Sequence, residues 1–249
     1  MNLLIWNEHA PEEQHGAIRK AYPEGMQQAV ADVFRGENHT ITFGWQSQKD
    51  QGLSEEVLAK TDVLLYWAHC LHDQLSDAAA ERVAAHVEAG MGAIFLHSAH
   101  WSKPFKKLSK GTGTLVWRED KKHERLFNVN PSHPIASGVP CEIFLPKDEM
   151  YGEPFGCGQP DEIIFIGWFP GGEIFRSGLT YYRGKGRVFY FQPGHETFPV
   201  YKNPGIMKIL HNAAMWAAGK PEKSAPYPAA DACKYVLPKE IGIRLLKRK

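Results

Sequence analysis

The apolar residues of the first 100 positions fall into short runs separated by amphipathic stretches. Four of these runs have the character of strands. Three are continuously apolar, as in parallel strands buried on both faces, and one alternates and is β-branched. They are residues 2–6, 39–45, 62–67 and 92–96.

Helical signals lie between these strands. Residues 23–34 carry apolar side chains on one face, with Pro23 in the first turn. Ser54 begins a short helix, and Ser76 caps a longer one that Gly90 ends. This strand–helix repeat predicts right-handed crossovers and an α/β fold with a doubly wound, mainly parallel sheet.

The pattern becomes irregular between residues 98 and 182, where Gly, Pro and aromatic residues separate short strands such as 142–145 and 163–169. We interpret this part as insertions and an antiparallel extension of the same sheet. Order returns with a strand at 187–191 and a helix that begins at Asn203 and Pro204.

The pattern along the chain predicts two segments. Residues 1–219 are expected to form a single α/β domain. Residues 220–249, which are Pro/Ala-rich and then basic, are expected to form a C-terminal extension.

The charge balance narrows the functional classes. Lys and Arg total 29 against 28 Asp and Glu, so the net charge of +1 creates no strong field for nucleic acid or a membrane surface. No apolar run approaches the roughly 18–20 residues of a membrane span, and the N-terminus lacks the basic region of a signal peptide. The four cysteines form no CxxC pair and are interpreted as reduced thiols. We therefore expect a cytoplasmic protein that binds neither nucleic acid nor membranes and forms a homo-oligomer.

Histidines recur directly after the predicted strands. Ligands of open α/β sheets bind outside the carboxyl ends of the strands, so these imidazoles are expected to converge on one edge. Imidazoles there can carry out acid–base chemistry near neutral pH, or bind Zn or a similar ion when a carboxylate joins them. The five candidates are His9, His69, His97, His100 and His195.

Carboxylates and one hydroxyl complete the candidate chemistry. The carboxylates are Glu8, Glu149, Glu153 and Glu196. Ser98 lies in the turn after the fourth strand, where a nucleophile elbow would lie, but His97 and Ala99 flank it instead of the GxSxG frame. No cysteine occupies this turn, which argues against glutaminase chemistry.

Five ordered motifs resemble a known family. They are GMGAIFLHSAH, HPIASGVP, DEMYGE, YYRGKGRVFYFQPGHE and a last helix ending in MWAAG. Over residues 2–219 they resemble the trehalose-utilisation (ThuA-like) family, which is similar in fold to class I glutamine amidotransferases. The resemblance implies a flavodoxin-like sheet without the catalytic cysteine, and hence a protein that is not a glutaminase.

The resemblance also implies a site. His97, Glu149 and His195 take the family's characteristic positions, as catalytic groups and as ligands of a divalent metal such as Zn. His69 and His100 are further catalytic candidates, and no nucleotide cofactor is expected. The candidates for sugar binding are Trp101, His9, Glu153 and Trp67.

The function implied is the catabolism of a trehalose-type disaccharide or keto-sugar. The sugar would be isomerised, cleaved by elimination or hydrolysed through His/Glu acid–base chemistry, with or without a metal. Two alternatives remain open at this point. One is a non-catalytic carbohydrate-binding or regulatory protein on an amidotransferase-like scaffold, and the other is a serine hydrolase that uses Ser98 and His195.

Overall fold

The computed structural model describes residues 1–10 and 16–220. The expected C-terminal extension therefore lies outside the described residues, apart from Lys220. The strands of the described chain are β1 (Asn2–Asn7), β2 (Thr40–Trp45), β3 (Val63–Trp67), β4 (Gly92–Leu96), β5 (Val116–Arg118), β6 (Glu124–Asn128), β7 (Glu142–Leu145), β8 (Met150–Gly152), β9 (Glu162–Trp168), β10 (Ile174–Arg183) and β11 (Gly186–Phe191).

The helices of the described chain are short, apart from two. They are α1 (Gly16–Ala21), α2 (Met26–Ala31), α3 (Glu55–Ala59), α4 (Asp77–Ala89), α5 (Lys103–Ser109) and α6 (Pro204–Ala217). A 3-10 helix, His97–Trp101, follows β4 directly. No helix among the described residues is long and apolar enough to cross a membrane.

Nine strands form one sheet in the order β2-β1-β3-β4-β11-β10-β9-β6-β7. The first five run parallel, and the last four pair antiparallel. The remaining strands, β5 and β8, pair as a separate antiparallel ribbon. The predicted α/β fold, with a doubly wound parallel sheet and an antiparallel extension, is confirmed, and the order of the parallel strands is the flavodoxin-like one.

The structure divides into two halves. The parallel half consists of β2, β1, β3, β4 and β11 with their helices. The antiparallel half consists of β10, β9, β6 and β7 with the β5–β8 ribbon.

The two faces of the sheet bury separate apolar cores. Alternate side chains of β1, Leu3 and Ile5, pack with α2 and α6 on one face. Their neighbours Leu4 and Trp6 pack with α4 and α5 on the other. Because both faces are covered, β1, β3 and β4 are apolar along most of their length, which is why the sequence shows continuous runs there. The edge strand β2 is only partly buried and alternates.

Most helix and strand boundaries of the parallel half agree with the sequence prediction to within two residues. Ser54 and Ser76 cap α3 and α4 by accepting the N–H of Val57 and Ala79. The predicted helix 23–34 begins later, at Met26, because Gly25 adopts a φ of 92° that ends the preceding turn. The sequence prediction missed α1, α5, β5, β6, β8 and the ten-residue β10.

The cysteine prediction holds only in part. Cys70 and Cys157 are reduced thiols, as expected, and Cys233 lies outside the described residues. Cys141 is disulfide-bonded, which corrects the expectation of a reduced thiol at that residue.

Candidate active site

Three histidines meet at the carboxyl edge of the parallel half. His69 follows β3, His97 follows β4 and His195 lies four residues beyond β11. The ring centroids of His97 and His195 lie 5.5 Å apart, and those of His69 and His195 lie 6.0 Å apart. The expected convergence of strand-end imidazoles therefore occurs for these three residues.

The turn after β4 fixes His97. Its φ of 53° lies in the left-handed region, so the strained position of this strand-to-helix turn is held by His97 and not by Ser98. The fully buried ring donates its Nδ1–H to the carbonyl oxygen of Gln192 at 2.8 Å. That hydrogen bond leaves Nε2 facing Glu149 and the Tyr151 hydroxyl.

Glu149 comes from the antiparallel half and forms an ion pair with His97. Its Oε2 lies 3.1 Å from His97 Nε2, and only 5% of the residue is exposed. Burial opposes charge on both groups, but their attraction outweighs it. The carboxylate raises the pKa of His97 to about 9, and His97 holds the pKa of Glu149 below its ordinary value.

Asp148 ties Glu149 to the loop that carries His195. One of its carboxylate oxygens accepts the backbone N–H of Glu149 at 2.9 Å and of His195 at 3.3 Å, and the other accepts that of Gly194 at 3.3 Å. Burial raises the pKa of Asp148 to about 6. This buried carboxyl group therefore positions Glu149 and His195 relative to each other.

His195 is held as a neutral ring. Its Nδ1 accepts the backbone N–H of Thr197 at 3.3 Å, so the neutral ring carries its proton on Nε2. Burial and the nearby charge of His97 lower the pKa of His195 to about 4. The Nε2–H lies 3.6 Å from Glu196 Oε1 and is a donor on the cleft wall.

Two hydroxyl groups, those of Tyr151 and Ser98, link His97 to His69. The Tyr151 hydroxyl lies 3.5 Å from His97 Nε2 and 3.0 Å from Ser98 Oγ, which lies 3.1 Å from His69 Nδ1. Ser98 therefore contacts His69, and not His195 as the serine-hydrolase alternative assumes. The arrangement resembles a relay between imidazoles more than a nucleophile paired with its base.

His100 and His72 form a neutral wall of the cleft. His100 Nδ1–H donates to the carbonyl oxygen of Gly113 at 2.7 Å, and burial lowers the pKa of His100 to about 3. Burial also lowers the pKa of His72 below its ordinary value, and its Nδ1 has no hydrogen-bond partner. Both rings therefore present lone pairs in a largely apolar setting.

One group of side chains could hold a metal ion. Ligand atoms of His69, His97 and Glu196 all lie within 4.8 Å of one another. This set shares only His97 with the predicted metal ligands His97, Glu149 and His195. Glu149 Oε2 is instead engaged with His97, and His195 carries its proton on the nitrogen that faces the cleft.

The cleft around these groups has a volume of about 640 Å³, within the range of small-molecule sites. Seven of the predicted residues line it: His69, Ser98, His100, Trp101, Glu149, His195 and Glu196. His97 lies behind Tyr151, with the two rings stacked at 5.1 Å. The other lining residues are His72, Thr114, Leu115, Trp117, Glu119, Tyr151 and Thr197.

Three predicted sugar-binding residues, Glu153, Trp67 and His9, lie outside the cleft lining. Glu153 is held by Arg176 in a two-point ion pair of 2.7 and 3.0 Å. Trp67 is buried and donates its indole N–H to the Gly194 carbonyl oxygen at 3.3 Å. The ring of His9 packs near Trp45, with centroids 5.9 Å apart.

The candidate Glu8 also has a supporting role. Its carboxylate accepts the backbone N–H of Cys70 at 2.7 Å and of Leu71 at 2.9 Å. It thus holds the loop that carries His69 and His72.

Sequence reasoning missed Tyr151, His72 and Trp117. For Tyr151 a signal existed, since it lies in the same DEMYGE motif as Glu149, two residues further along. For His72 and Trp117 no local pattern points to the cleft. Their positions depend on how the loop after β3 and the β5–β8 ribbon pack.

The comparisons with known proteins agree with this fold. A family model described as trehalose utilisation (ThuA) matches residues 2–217. No curated relative matches the chain.

Solved structures with the same fold share little sequence. A ThuA-like protein of Parabacteroides merdae is 16% identical, with a TM-score of 0.64 over 91% of this chain and 93% of its own. A Salmonella typhimurium protein named as cytoplasmic is 12% identical, with a TM-score of 0.58 over 87% of this chain and 99% of its own. A β-galactosidase of Rahnella sp. R3 is 11% identical, with a TM-score of 0.56 over 88% of this chain and 31% of its own.

Proposed function

Because the chain belongs to the trehalose-utilisation (ThuA) family, we propose that it acts on a sugar of trehalose-type catabolism. The reaction we propose is proton transfer beside the carbonyl group of an oxidised, keto form of that sugar. The observation that carries the proposal is the cleft, where three imidazoles and two carboxylates from distant parts of the chain converge.

The proposed roles follow from the protonation of the groups. The Glu149 carboxylate removes a proton from the carbon beside the carbonyl, and the electron pair moves onto the carbonyl oxygen. The Nε2–H of neutral His195 hydrogen-bonds to that oxygen as its charge grows, since a neutral imidazole is a suitable electrophile for an enolate. Return of the proton to a neighbouring atom isomerises the sugar, whereas loss of an oxygen substituent from the next carbon cleaves it.

The chain Tyr151–Ser98–His69 gives the proton a second route. A hydroxyl leaving group needs a proton, and His69 lies at the end of this chain, within 3.8 Å of Glu196. Glu149 and His69 thus stand on opposite ends of one polar network, as an acid–base pair requires.

The donor set fits a divalent ion such as Zn. His69, His97 and Glu196 offer the imidazole and carboxylate atoms that Zn prefers, and the buried Oε2 of Glu196 has no hydrogen-bond partner. The hydrogen bond from His97 Nδ1–H to a backbone carbonyl is typical of the support given to a metal-binding histidine. His97 would bind the ion through Nε2, so the ion would replace Glu149 as the partner of that atom. An ion there would polarise the substrate oxygen as a Lewis acid.

Deuterium exchange tests the reaction. Purified protein is incubated in D₂O with keto derivatives of trehalose and of other disaccharides, and incorporation next to the carbonyl is followed by NMR and mass spectrometry. We expect incorporation with the wild type and its loss, by about 100-fold or more, in His195→Asn. Binding of these sugars without exchange or turnover would contradict the proposal and favour the non-catalytic carbohydrate-binding alternative.

The cellular location, the oligomeric state and the partner of the protein are also proposals. We propose a cytoplasmic homo-oligomer with a small-molecule sugar as its partner, and the Salmonella protein of the same fold is named as cytoplasmic. Light scattering after size exclusion measures the oligomeric state, and a monomer would contradict this part.

A further inference from the structure

Two tryptophans at the cleft mouth are unusually exposed. Trp117 is 63% exposed and Trp101 is 39% exposed. The other tryptophans of the described chain are buried or half-buried, and both exposed ones line the cleft. Leaving an indole in water forgoes a large hydrophobic gain, so two at one mouth call for a ligand that covers them.

Trp117 lies beside Tyr151 on the β5–β8 ribbon. Trp117 lies in β5 directly opposite Tyr151 of β8, so the two side chains share a face of the ribbon. Tyr151 in turn stacks on His97, with ring centroids 5.1 Å apart. An aromatic surface therefore runs from the mouth of the cleft to the histidines at its base.

Trp101 is held from the other side of the mouth. The Lys106 ammonium lies 4.5 Å from the centre of its ring and covers one face. The backbone before β5 is held in turn by mutual hydrogen bonds between Gly113, Thr114 and Gly156, at 2.8 Å each. The two indoles are therefore presented on ordered backbone.

Polar groups line the cleft together with the indoles. Thr114 and Glu119 are among them. An aromatic face beside hydroxyl and carboxylate acceptors suits a pyranose ring, which offers C–H groups on its face and hydroxyls on its edge. A purely apolar ligand would make no hydrogen bond to these polar groups.

We propose that Trp101 and Trp117 form an outer sugar subsite, which binds the non-reacting ring of a disaccharide while the other ring lies among His69, His97, Glu149 and His195. This inference rests on the proposed function, because it places the reacting ring at the acid–base groups. The protein then selects two-ring over one-ring sugars through these tryptophans.

Calorimetry and kinetics on matched variants test the subsite. The probes are trehalose and glucose for binding, and their keto derivatives for deuterium exchange. The variants are Trp117→Ala and Trp101→Ala, with Tyr182→Ala as control, since Tyr182 is an exposed aromatic residue outside the cleft lining. Circular dichroism and thermal unfolding verify that each variant is folded.

We expect trehalose to bind wild type about tenfold or more tightly than glucose, and Trp117→Ala to remove about tenfold of that affinity. Glucose binding stays within about twofold. For the keto disaccharide, KM rises and kcat changes little, because a distant stacking contact is made equally in the ground and transition states.

Failure of the subsite and failure of the reaction are distinguishable. Equal loss of trehalose and glucose binding in Trp117→Ala, unchanged trehalose binding in both variants, or no trehalose binding by wild type would each overturn the subsite. Trehalose binding that depends on Trp117, without any deuterium exchange, supports the subsite and removes the reaction.

Discussion

The parallel half and the antiparallel half reach the same cleft in different ways. In the parallel half, His69, His97 and His195 come together because the carboxyl ends of parallel strands share one edge. In the antiparallel half, Tyr151 lies on the three-residue strand β8 and Glu149 lies just before it. This strand pairs with β5, which is equally short. The histidine positions follow from topology, whereas those of Glu149 and Tyr151 follow from the packing of a small ribbon.

The two halves therefore contribute different groups to the cleft. The parallel half supplies the imidazoles and a rigid base. The antiparallel half supplies the carboxylate that pairs with His97 and, in Trp117, one wall of the mouth. Variation of the ribbon would therefore change substrate choice while the imidazoles keep their places.

The largest expected effect is the difference in deuterium exchange between variants of two glutamates of the antiparallel half. Glu149→Gln keeps the shape but removes the charge that faces His97, and we expect deuterium exchange to fall by about 100-fold or more. Glu153→Gln weakens the ion pair with Arg176 outside the cleft, and exchange should stay within about threefold. Equal losses in both variants would show that Glu149 acts only through folding.

The second effect tests which side chains hold a metal, His69 with Glu196 or the set that includes His195. Metal analysis of purified protein should show about a tenfold or greater loss of bound Zn in His69→Ala and in Glu196→Gln. His195→Ala lies outside the converging group and should retain the ion. Retention in His69→Ala together with loss in His195→Ala would favour instead the ligand set expected from the sequence.

A cap of the parallel half gives a smaller effect on stability. Ser76→Ala removes the oxygen that accepts the Ala79 N–H at the start of α4, and the free energy of unfolding should fall by about 1 kcal/mol. Ser76→Asp retains the cap and should stay near wild type in urea unfolding. Since α4 lies away from the cleft, sugar turnover by Ser76→Ala should be unchanged.

A buried carboxyl group of the antiparallel half gives the smallest and most pH-dependent effect. Burial, and then the charge of Asp148, raise the pKa of Glu124 well above its ordinary value. The folded protein thus binds more protons than the unfolded chain as the pH rises from about 5, and stability falls with rising pH. Glu124→Gln should flatten this fall, so its melting temperature relative to wild type should be higher at pH 8 than at pH 5. A difference that does not change with pH would show that Glu124 is not protonated in the folded protein.

The sequence predicted the two halves unequally. Apolar runs marked β1, β3 and β4 because strands covered on both faces leave a local signal. The strands β5 and β8 have three residues each, too few for any periodicity, and β5 is exposed along its whole length. The candidate site divided in the same way, with three of the five strand-end histidines convergent and Tyr151, His72 and Trp117 missed.

Some side-chain contacts could not be predicted for a common reason. Glu153 and Trp67 lie close in sequence to cleft residues, but their side chains point to partners that no local pattern reveals, Arg176 and the Gly194 carbonyl oxygen. The metal ligands were expected from the family resemblance. The tautomer of His195, which depends on Thr197, leaves no signal in the sequence.

The sequence by itself determined the strand–helix order, the parallel edge and the histidines on it, because these depend on periodicity and on the rule that ligands bind at carboxyl ends of strands. The tertiary structure alone decided that Glu149 faces His97 at 3.1 Å, that Tyr151 and Ser98 lead to His69, and that two tryptophans frame the mouth. The reason is physical. These contacts join residues up to about 50 positions apart through side-chain packing, and packing leaves no repeat in the chain from which it could be predicted.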